Sequence, residues 1–467
     1  MYTLRALAAI LAGLLPRAAG AQATVEPDPR YQDVAQALTA VIEQQRAEHG
    51  IPAVSVALVE GSRVVWARGF GWADSAAGIP ATAATVYRVG SVSKLFTDIA
   101  VMQQVERGKL SLDAPVDRYL PDFHPRNPFG GEITLRQLTS HRSGLTREPP
   151  VGHYFDDTEP TLAATVASLN RTSLIYPPGK QTKYSNAGIA VLGEVLERTQ
   201  GESFYPYLQH AVLEPLGMRA SAFEPTAGIR ARLAKGYMWT VDGRRFEAPT
   251  FQLGEGPAGS LYTTVLDLGR FMSVLFDGGA LGGKRLLARA TLDSMWTPQF
   301  ADSGATTGFG IGFGIDTLDG HRTIGHDGAI YGFATSLEAL PDDSLGVVVV
   351  ATLDVVNAVT DAIAEAALRM LLATREGKPL RPIPAPAPLT RSQAIALMGR
   401  YMKGDTGVDL EEYDGRLYLT PVQGGLRSEL RAGDSGLVLA DQPGQDIRVV
   451  PPGRIAVGKD TLKRLPT

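Results

Sequence analysis

The sequence predicts an α/β protein in which an antiparallel sheet is covered by helices and interrupted by a helical subdomain, with a small all-β domain after it. Hairpin patterns near both ends of residues 24–377 enclose helical patterns, which indicates a sheet assembled from both ends of that segment. A proline-rich stretch at 378–390 then precedes a strand-rich tail. With 44% hydrophobic and 20% charged residues, the composition is that of an ordinary soluble globular chain.

Residues 1–23 have the pattern of a secretory signal peptide. Arg5 supplies a positive end, residues 6–15 form a short apolar run, and small residues at 19–21 and 21–23 offer cleavage sites. An uncleaved N-terminal anchor is the alternative, but the apolar run is too short to span a bilayer. We therefore expect a periplasmic or secreted bacterial protein with no membrane span after cleavage.

Charge and composition exclude several classes of partner and site. The 467 residues have a net charge of −4, so no basic excess points to nucleic acid or to a lipid surface. The chain contains no cysteine, which excludes disulfides, thiol catalysis and cysteine-based metal sites. We expect neither a cofactor nor a metal, and the sequence leaves the oligomeric state open.

The first elements predicted for the main domain are a helix, a β-hairpin and a second helix. Residues 30–49 have a helical pattern that ends before Gly50. Residues 54–59 and 64–68 are rich in β-formers and are joined by a Glu-Gly-Ser turn, which predicts a hairpin. A helix is predicted after Gly90, because apolar residues recur there at helical spacing.

The middle of the chain changes in character. From about residue 110 to residue 245, short helical patterns alternate with loops rich in proline and glycine, and this alternation predicts the helical subdomain. Thr264 then begins another helix. Asp267 stands three residues later, at the spacing of a capping box.

The second half of the sheet and the tail follow. Residues 332–340 and 346–352 flank a Pro-Asp-Asp-Ser turn and predict another hairpin, and residues 356–372 predict a closing amphipathic helix. Residues 378–390 are expected to be a stiff linker. Residues 391–467 are predicted to form a separate small β domain, either a barrel or a sandwich.

The first candidate for chemistry is Ser91-x-x-Lys94 at the start of a predicted helix. Positions three apart share a helix face, so the two side chains can meet in one pocket. A helix N-terminus adds free N–H groups and partial positive charge, which suit a serine that must become an alkoxide. Chance alone produces Ser-x-x-Lys often, so its meaning depends on the other motifs.

Two further motifs could face the same cleft. In Tyr184-x-Asn186, the tyrosine could accept or relay a proton if a nearby cation lowers its pKa, and the amide could hold a substrate amide. In His326-x-Gly328, glycines flanking the histidine allow a ligand to approach the backbone closely. His326 could stay neutral and donate a hydrogen bond, or become charged and hold a carboxylate.

Taken in this order and at these wide separations, the three motifs resemble those of the serine β-lactamase-like, penicillin-recognising superfamily. The resemblance is greatest for the branch of class C β-lactamases, DD-peptidases and esterases, and it covers residues 30–372. Flanking segments at 138–145, 215–218 and 258–261 also resemble landmarks of this family. The resemblance implies a β-lactamase/transpeptidase-like fold and a small-molecule or short-peptide substrate.

The resemblance also implies catalytic roles. Ser91 would attack the substrate carbonyl and form an acyl-enzyme. Lys94 would take or relay the serine proton. Tyr184 would protonate the leaving group and later activate the water that releases the acyl group.

The remaining motif residues would bind substrate. Asn186 would orient the substrate amide, and His326 and Gly328 would line the site, with the histidine standing where many relatives have lysine. The N–H groups of Ser91 and Ala329 would form the oxyanion hole, which stabilises charge in the transition state.

The third motif departs from the β-lactamase pattern. Relatives with that activity usually have Lys-Thr-Gly, whereas Asp327 adds a negative charge where a hydroxyl often helps to bind a carboxylate. His-x-Gly is familiar among peptidases and esterases of the superfamily. We therefore expect a hydrolase of esters or of D-residue peptides and amides, of esterase, D-aminopeptidase or DD-carboxypeptidase type. The alternatives are a class C-like β-lactamase and a penicillin-binding or sensor protein that acylates without turnover.

Two features could be mistaken for catalytic groups. The Gly-Asp-Ser-Gly sequence at residues 433–436 resembles the nucleophile loop of trypsin-like proteases, but no histidine follows His326, so a hairpin turn is expected there. His141 is flanked by serines and a glycine, which favours a histidine that braces loop backbone.

Overall fold

The computed structural model describes residues 24–240, 243–380, 387–424, 427–433, 436–440, 442–458 and 460–466. The predicted signal peptide and residues 381–386 of the predicted linker lie outside the described residues. The bounds proposed above for the domains and the linker stay predictions.

The main domain is built on an antiparallel sheet of eight strands, with three smaller two-stranded sheets beside it. The strands are β1 Ala53–Glu60, β2 Arg63–Asp74, β3 Ile79–Pro80, β4 Tyr87–Arg88, β5 Tyr237–Trp239, β6 Arg245–Glu247, β7 Tyr262–Thr263, β8 Ala280–Leu281, β9 Lys284–Arg285, β10 Gly308–Phe309, β11 Gly314–Leu318, β12 His321–Ile330, β13 Phe333–Leu340 and β14 Leu345–Ala351. In the large sheet they lie in the order β10-β11-β12-β13-β14-β1-β2-β3, and the smaller sheets pair β4 with β7, β5 with β6 and β8 with β9.

Helices cover both faces of this sheet and build the region between its two halves. They are α1 Gln32–Glu48, α2 Ser93–Glu106, α3 Leu135–Thr139, α4 Leu162–Ser168, α5 Asn186–Gln200, α6 Phe204–Leu208, α7 Ala227–Arg230, α8 Gly256–Gly259, α9 Val265–Phe276, α10 Arg289–Met295 and α11 Asn357–Arg375. Together with the sheet order, this arrangement confirms the predicted fold class.

The pairing of β1 with β14 joins the two ends of the main domain. Val56 lies opposite Val349 in this antiparallel pair, as expected for a sheet built from both ends of the segment. Because side chains alternate along a strand, Val56 packs in the core under α1 and α11, whereas Ala57 packs in the core on the side of α2 and α9. A strand buried on both faces has a nearly continuous apolar sequence, as β1 does apart from Ser55 and its last residue, Glu60.

The start of α9 differs in one detail from its predicted capping box. Thr264 is the N-cap, and its side chain accepts a hydrogen bond from the backbone N–H of Asp267. The carboxylate of Asp267 does not complete the box, because it accepts hydrogen bonds from Ala220 N and Ser221 Oγ instead. A tertiary contact to the preceding loop has replaced the local one.

The C-terminal domain is a closed β-barrel. Its elements are β15 Ala387–Pro388, α12 Arg391–Leu397, β16 Gly399–Lys403, β17 Thr406–Tyr413, β18 Arg416–Pro421, β19 Ser428–Gly433, β20 Gly436–Leu439, β21 Gln442–Val450, β22 Arg454–Val457 and β23 Asp460–Arg464. Strand β19 pairs with both β18 and β20, so the strands from β16 to β23 form a ring. Arg431 on β19 forms an ion pair with Glu48 of α1, which joins the barrel to the main domain.

Two sequence features fall within or beside this barrel. The predicted turn at 433–436 connects β19 to β20, and Gly433 pairs with Gly436 across it, while Asp434 and Ser435 lie outside the described residues. Residues 387–388, at the end of the predicted linker, form a short strand on β19. Among the helices of the described ranges, none combines the length and apolar character needed to cross a membrane.

Candidate active site

Ser91 lies in a single turn of 3₁₀ helix, Gly90–Val92, directly before α2. Gly90 has a φ of +51°, and a Cβ at this position would lie 2.7 Å from the carbonyl oxygen of Ala329. Only glycine fits a backbone that is both left-handed and in such close contact. This approach places the backbone of Ala329 against the turn that holds Ser91.

Lys94 reaches back from the first turn of α2 to Ser91, as the motif spacing predicts. Its Nζ donates hydrogen bonds to Ser91 Oγ at 2.9 Å and to Ala258 O at 2.8 Å. Burial lowers the pKa of Lys94 to about 7, although Glu255 and Glu148 oppose this shift. Near neutral pH a large fraction of the amine is therefore unprotonated and can accept the proton of Ser91.

Tyr184 lies in the loop before α5, and its phenol is close enough to Ser91 for that serine to lower its pKa. The cations of Lys94 and Arg147 lie 4.9 and 5.1 Å from the centre of its ring. The condition set above for proton acceptance, a lowered pKa, is not met, because burial outweighs these cations and raises the pKa of Tyr184. Tyr184 therefore rests as a neutral phenol, which can donate a proton to a leaving group.

Asn186 is the first residue of α5, and Ser185 caps that helix. Its Nδ2 donates a hydrogen bond to Glu148 Oε1 at 2.8 Å. Its Oδ1 is buried and accepts no hydrogen bond from the part of the chain that the structure describes. This oxygen can accept an N–H from a bound substrate amide.

Two residues of this site, Glu148 and Glu255, could not be predicted from the sequence motifs. Both contribute to the electrostatic environment of Lys94. Neither belongs to one of the three motifs, and both lie in irregular segments where periodicity says nothing about which way a side chain points. A buried glutamate leaves no local signal in the sequence, because its burial depends on packing between distant segments.

His141 braces the loop that holds Tyr184, as its sequence context predicts. Its Nδ1 accepts a hydrogen bond from the backbone N–H of Ser185 at 3.2 Å. Its ring packs against the ring of Tyr184, with 4.3 Å between the ring centres. Burial holds the pKa of His141 well below its ordinary value, so the ring is neutral and keeps the acceptor that this contact needs.

His326 points to the same cleft from β12. Burial, and secondarily the charge of Lys94, lower the pKa of His326 to about 3, so the neutral alternative holds. Its Nδ1 lies 2.6 Å from Asp327 O, which can only accept, so Nδ1 bears the proton. Nε2 is then an acceptor, and it is buried without a partner among the described residues. The N–H of His326 therefore binds Asp327 O within the protein and does not donate to substrate, whereas Nε2 can accept a hydrogen bond from a substrate.

Gly328 allows β12 to approach the segment before Ser91. A Cβ on Gly328 would lie 1.9 Å from the carbonyl oxygen of Val89, so any side chain would push the strand away. Asn357 at the start of α11 donates a hydrogen bond from Nδ2 to Gly328 O at 2.9 Å. The oxyanion hole formed by the N–H groups of Ser91 and Ala329 stays a prediction, and this packing brings their two segments together.

The site opens into a cleft of about 570 Å³. Strand alternation turns Asp327 away from His326 toward α11, where its carboxyl meets Asp361. Asp327, where the sequence predicts a negative charge, therefore lines the same end of the cleft as Asp316 and Glu338. In the ranges that the structure describes, no group of three or more histidine, aspartate and glutamate side chains is placed to hold a metal ion.

Glu338 is expected to make stability depend on pH. Burial and neighbouring carboxylates raise the pKa of Glu338 from 4.5 to about 7, so the folded state keeps a proton that the unfolded chain releases. The contribution of Glu338 to the free energy of unfolding is therefore fully present below about pH 4.5 and is lost as the pH rises to about 7. We expect Glu338→Gln to raise the free energy of unfolding by about 1–2 kcal/mol at pH 8, with little effect at pH 4.

Urea denaturation at pH 4 and pH 8 measures this difference. Asp302→Asn is the matched control, because Asp302 is an exposed carboxylate in the loop before β10 and is not among the groups that shift the pKa of Glu338. The control variant should show the pH dependence of the wild type. An equal fall in stability with pH in wild type and Glu338→Gln would contradict the prediction.

Comparison with known proteins agrees with this geometry. A family model described as "Beta-lactamase" matches residues 38–370. "Beta-lactamase-like protein 2" of Dictyostelium discoideum is 31% identical over 255 residues, 52% of this chain and 46% of that protein. "Penicillin-binding protein 4" of Amycolatopsis lactamdurans is 30% identical over 310 residues, 63% of this chain and 79% of that protein.

A solved structure matches nearly the whole fold. The octameric penicillin-binding protein homologue from Pyrococcus abyssi superposes with a TM-score of 0.68 at 24% identity, over 92% of this chain and 99% of that one. At this identity the likeness concerns the fold. Matches to curated proteins are shorter: the chain spans 65% of a human relative and 46% of the Dictyostelium protein, less than two thirds of either.

Proposed function

Because this chain belongs to the serine β-lactamase-like family, whose members are serine hydrolases, we propose that it is an exported hydrolase that acts through an acyl-enzyme on Ser91. The observation that supports this most directly is the contact of 2.9 Å between Lys94 Nζ and Ser91 Oγ. Burial lowers the pKa of Lys94 to about 7, so this amine can serve as the base. Export rests on the pattern of the N-terminal residues alone.

The proposed reaction has two halves. Ser91 Oγ attacks the carbonyl carbon while its proton passes to Lys94 Nζ, and the carbonyl electrons move onto the oxygen held by the N–H groups of Ser91 and Ala329. The bond from the carbonyl carbon to the leaving group then breaks, and the neutral phenol of Tyr184 protonates the leaving group. The phenolate left behind takes a proton from water, and the resulting hydroxide attacks the carbonyl carbon of the acyl-enzyme. The bond to Ser91 Oγ breaks, and Oγ takes back the proton that Lys94 Nζ holds, which restores the free enzyme.

The charge of the cleft suggests which substrates it prefers. Asp316, Asp327 and Glu338 line one end, and His326 is neutral, so the described residues that line this end include no cation to hold a substrate carboxylate. Arg147 lines the cleft as well, but it already forms an ion pair with Glu148. We propose that neutral esters and amides of D-amino acids are better substrates than anionic β-lactams.

A substrate panel on the purified full chain tests this preference. We expect kcat/KM for a short-chain p-nitrophenyl ester or a D-amino acid amide to exceed that for nitrocefin by about tenfold or more, since like-charge contact costs of order 1.4 kcal/mol. Asp327→Asn should raise kcat/KM for nitrocefin relative to kcat/KM for the ester. A kcat/KM for nitrocefin equal to that for the best ester would favour the β-lactamase alternative. A burst without turnover on every substrate would favour the sensor alternative.

A further inference from the structure

One face of α2 binds the backbone of α8 at consecutive carbonyls. Thr97 Oγ1 donates a hydrogen bond to Pro257 O at 2.8 Å, and Lys94 Nζ donates one to Ala258 O at 2.8 Å. Positions 94 and 97 are three residues apart and therefore share a helix face. Thr97 is 0% exposed, and its hydroxyl has no task in the reaction proposed above. This threonine thus holds the carbonyl next to the one that binds the lysine.

Ser93 joins the turn that holds Ser91 to Leu261, which directly precedes β7. Its Oγ accepts a hydrogen bond from Leu261 N at 2.9 Å and donates one to Gly90 O at 2.6 Å. The carbonyl of Leu261 accepts a further hydrogen bond from Val89 N at 3.1 Å. The backbone on both sides of the nucleophile is therefore tied to residue 261. Ser93 is fully buried, so loss of its hydroxyl would leave buried backbone groups unpaired.

The contact with Ala258 O decides which way the amine of Lys94 faces. A carbonyl oxygen can only accept, so Nζ must donate one N–H to it whether the amine is charged or neutral. In the neutral amine the lone pair is then available on another side of Nζ, and Ser91 Oγ lies 2.9 Å away. If Ala258 O were displaced, the amine could rotate away from the hydroxyl whose proton it takes.

Apolar packing behind α8 does not replace these hydrogen bonds. A Cβ on Gly193 of α5 would lie 2.3 Å from Pro257 Cγ, so α5 and α8 are in close contact. Contact of this kind is non-directional, whereas a hydrogen bond weakens steeply as its angle departs from linear. Packing therefore holds α8 in place, and the hydrogen bond from Thr97 sets the direction of its carbonyl groups.

We propose that Ser93 and Thr97 are positioning residues for acylation, whose hydroxyls hold Leu261 and α8 against α2 so that Ala258 O directs the Lys94 amine toward Ser91. Neither hydroxyl exchanges a proton with substrate in this role. The inference rests on the proposed function, because it assigns the two hydroxyls a part in the first half of that reaction.

Two substitutions at position 97 test the role of the hydroxyl. Thr97→Val keeps a similar shape but loses the hydrogen bond to Pro257 O, whereas Thr97→Ser keeps it. We expect Thr97→Val to lower the acylation rate constant about tenfold and to leave the Kd of the ester within about twofold, because the base is misaligned while the substrate contacts stay. Thr97→Ser should acylate within about threefold of wild type. Stopped-flow measurement of the p-nitrophenol burst at several ester concentrations separates the two constants.

Ser93→Ala is the second variant, and we expect it to lower the acylation rate constant by about tenfold or more, because it loses two hydrogen bonds. Thr352→Val is the matched control. Thr352 is equally buried, its hydroxyl accepts a hydrogen bond from Ala53 N at 2.9 Å, and it is not among the described residues that line the cleft. The control should lose stability in urea and keep the wild-type acylation rate constant.

A wild-type acylation rate constant in folded Thr97→Val would overturn the proposal, as would an equal loss in Thr97→Ser or in Thr352→Val. Circular dichroism establishes that each variant is folded, and Ser93→Ala decides by the same criterion if Thr97→Val does not fold.

Labelling of wild type by a fluorophosphonate keeps this test separate from the proposed function. If Ser91 is not labelled in wild type, the acyl-enzyme proposal fails and the positioning role fails with it. If Ser91 is labelled and Thr97→Val acylates at the wild-type rate, only the positioning role is overturned. A labelled enzyme in which Thr97→Val acylates slowly and Thr97→Ser does not supports both.

Discussion

Ser91→Ala is expected to abolish covalent labelling by a fluorophosphonate and to reduce ester hydrolysis by about 10⁴-fold or more. The variant removes the oxygen that would form the bond to the acyl group, while Lys94 and Tyr184 stay in place. Because those two groups act on the Ser91 hydroxyl, they have nothing to activate once it is gone. In-gel fluorescence and mass spectrometry of the peptide containing residue 91 measure the label directly.

Ser260→Ala provides the matched control. Ser260 is also buried and close in sequence to Ala258, the carbonyl partner of Lys94, but its hydroxyl has no hydrogen-bond partner in the described ranges. Removing such a hydroxyl leaves no other group unsatisfied, so the control should fold and be labelled like wild type. Labelling of Ser91→Ala at the wild-type level would refute the assignment of the nucleophile.

Lys94→Met is expected to reduce the rate of acylation by about 10³-fold, the middle of the range for a general base. Methionine fills a similar apolar volume, so the buried space around α2 stays occupied. The variant loses the base and both hydrogen bonds from Nζ, to Ser91 Oγ and to Ala258 O. The acid limb of the pH profile near the lysine's pKa of about 7 should also disappear, which stopped-flow measurement of acylation between pH 5 and pH 9 can follow.

Lys183→Met is the companion control for the lysine. Lys183 is exposed and directly precedes Tyr184, so this variant tests whether a positive charge near the cleft is by itself enough to accelerate acylation. Its acylation rate and pH profile should remain within about twofold of wild type, because a solvated surface charge contributes little at this distance. An acid limb that persists in Lys94→Met would show that another group titrates there.

The main elements could be predicted because their signals are local. The β-forming residues on either side of the turn at Gly61 predict the β1–β2 hairpin, and Thr264 predicts the start of α9. The helical spacing of Ser91 and Lys94 likewise follows from a few consecutive residues, and the structure brings their side chains into contact. Where Asp267 prefers a loop partner to its own helix end, a long-range contact replaced the local one.

The protonation states of the site could not be predicted, because they depend on burial. Nothing near Tyr184 in the sequence shows that desolvation outweighs two cations, and nothing near His326 shows that its ring is neutral. Glu148 and Glu255 are more than a hundred residues apart in the chain, and only packing between two irregular segments places both where they raise the pKa of Lys94. Sequence patterns thus identified the residues of the three motifs, whereas packing across the whole fold added Glu148 and Glu255 and created the dielectric environment that decides which groups hold protons.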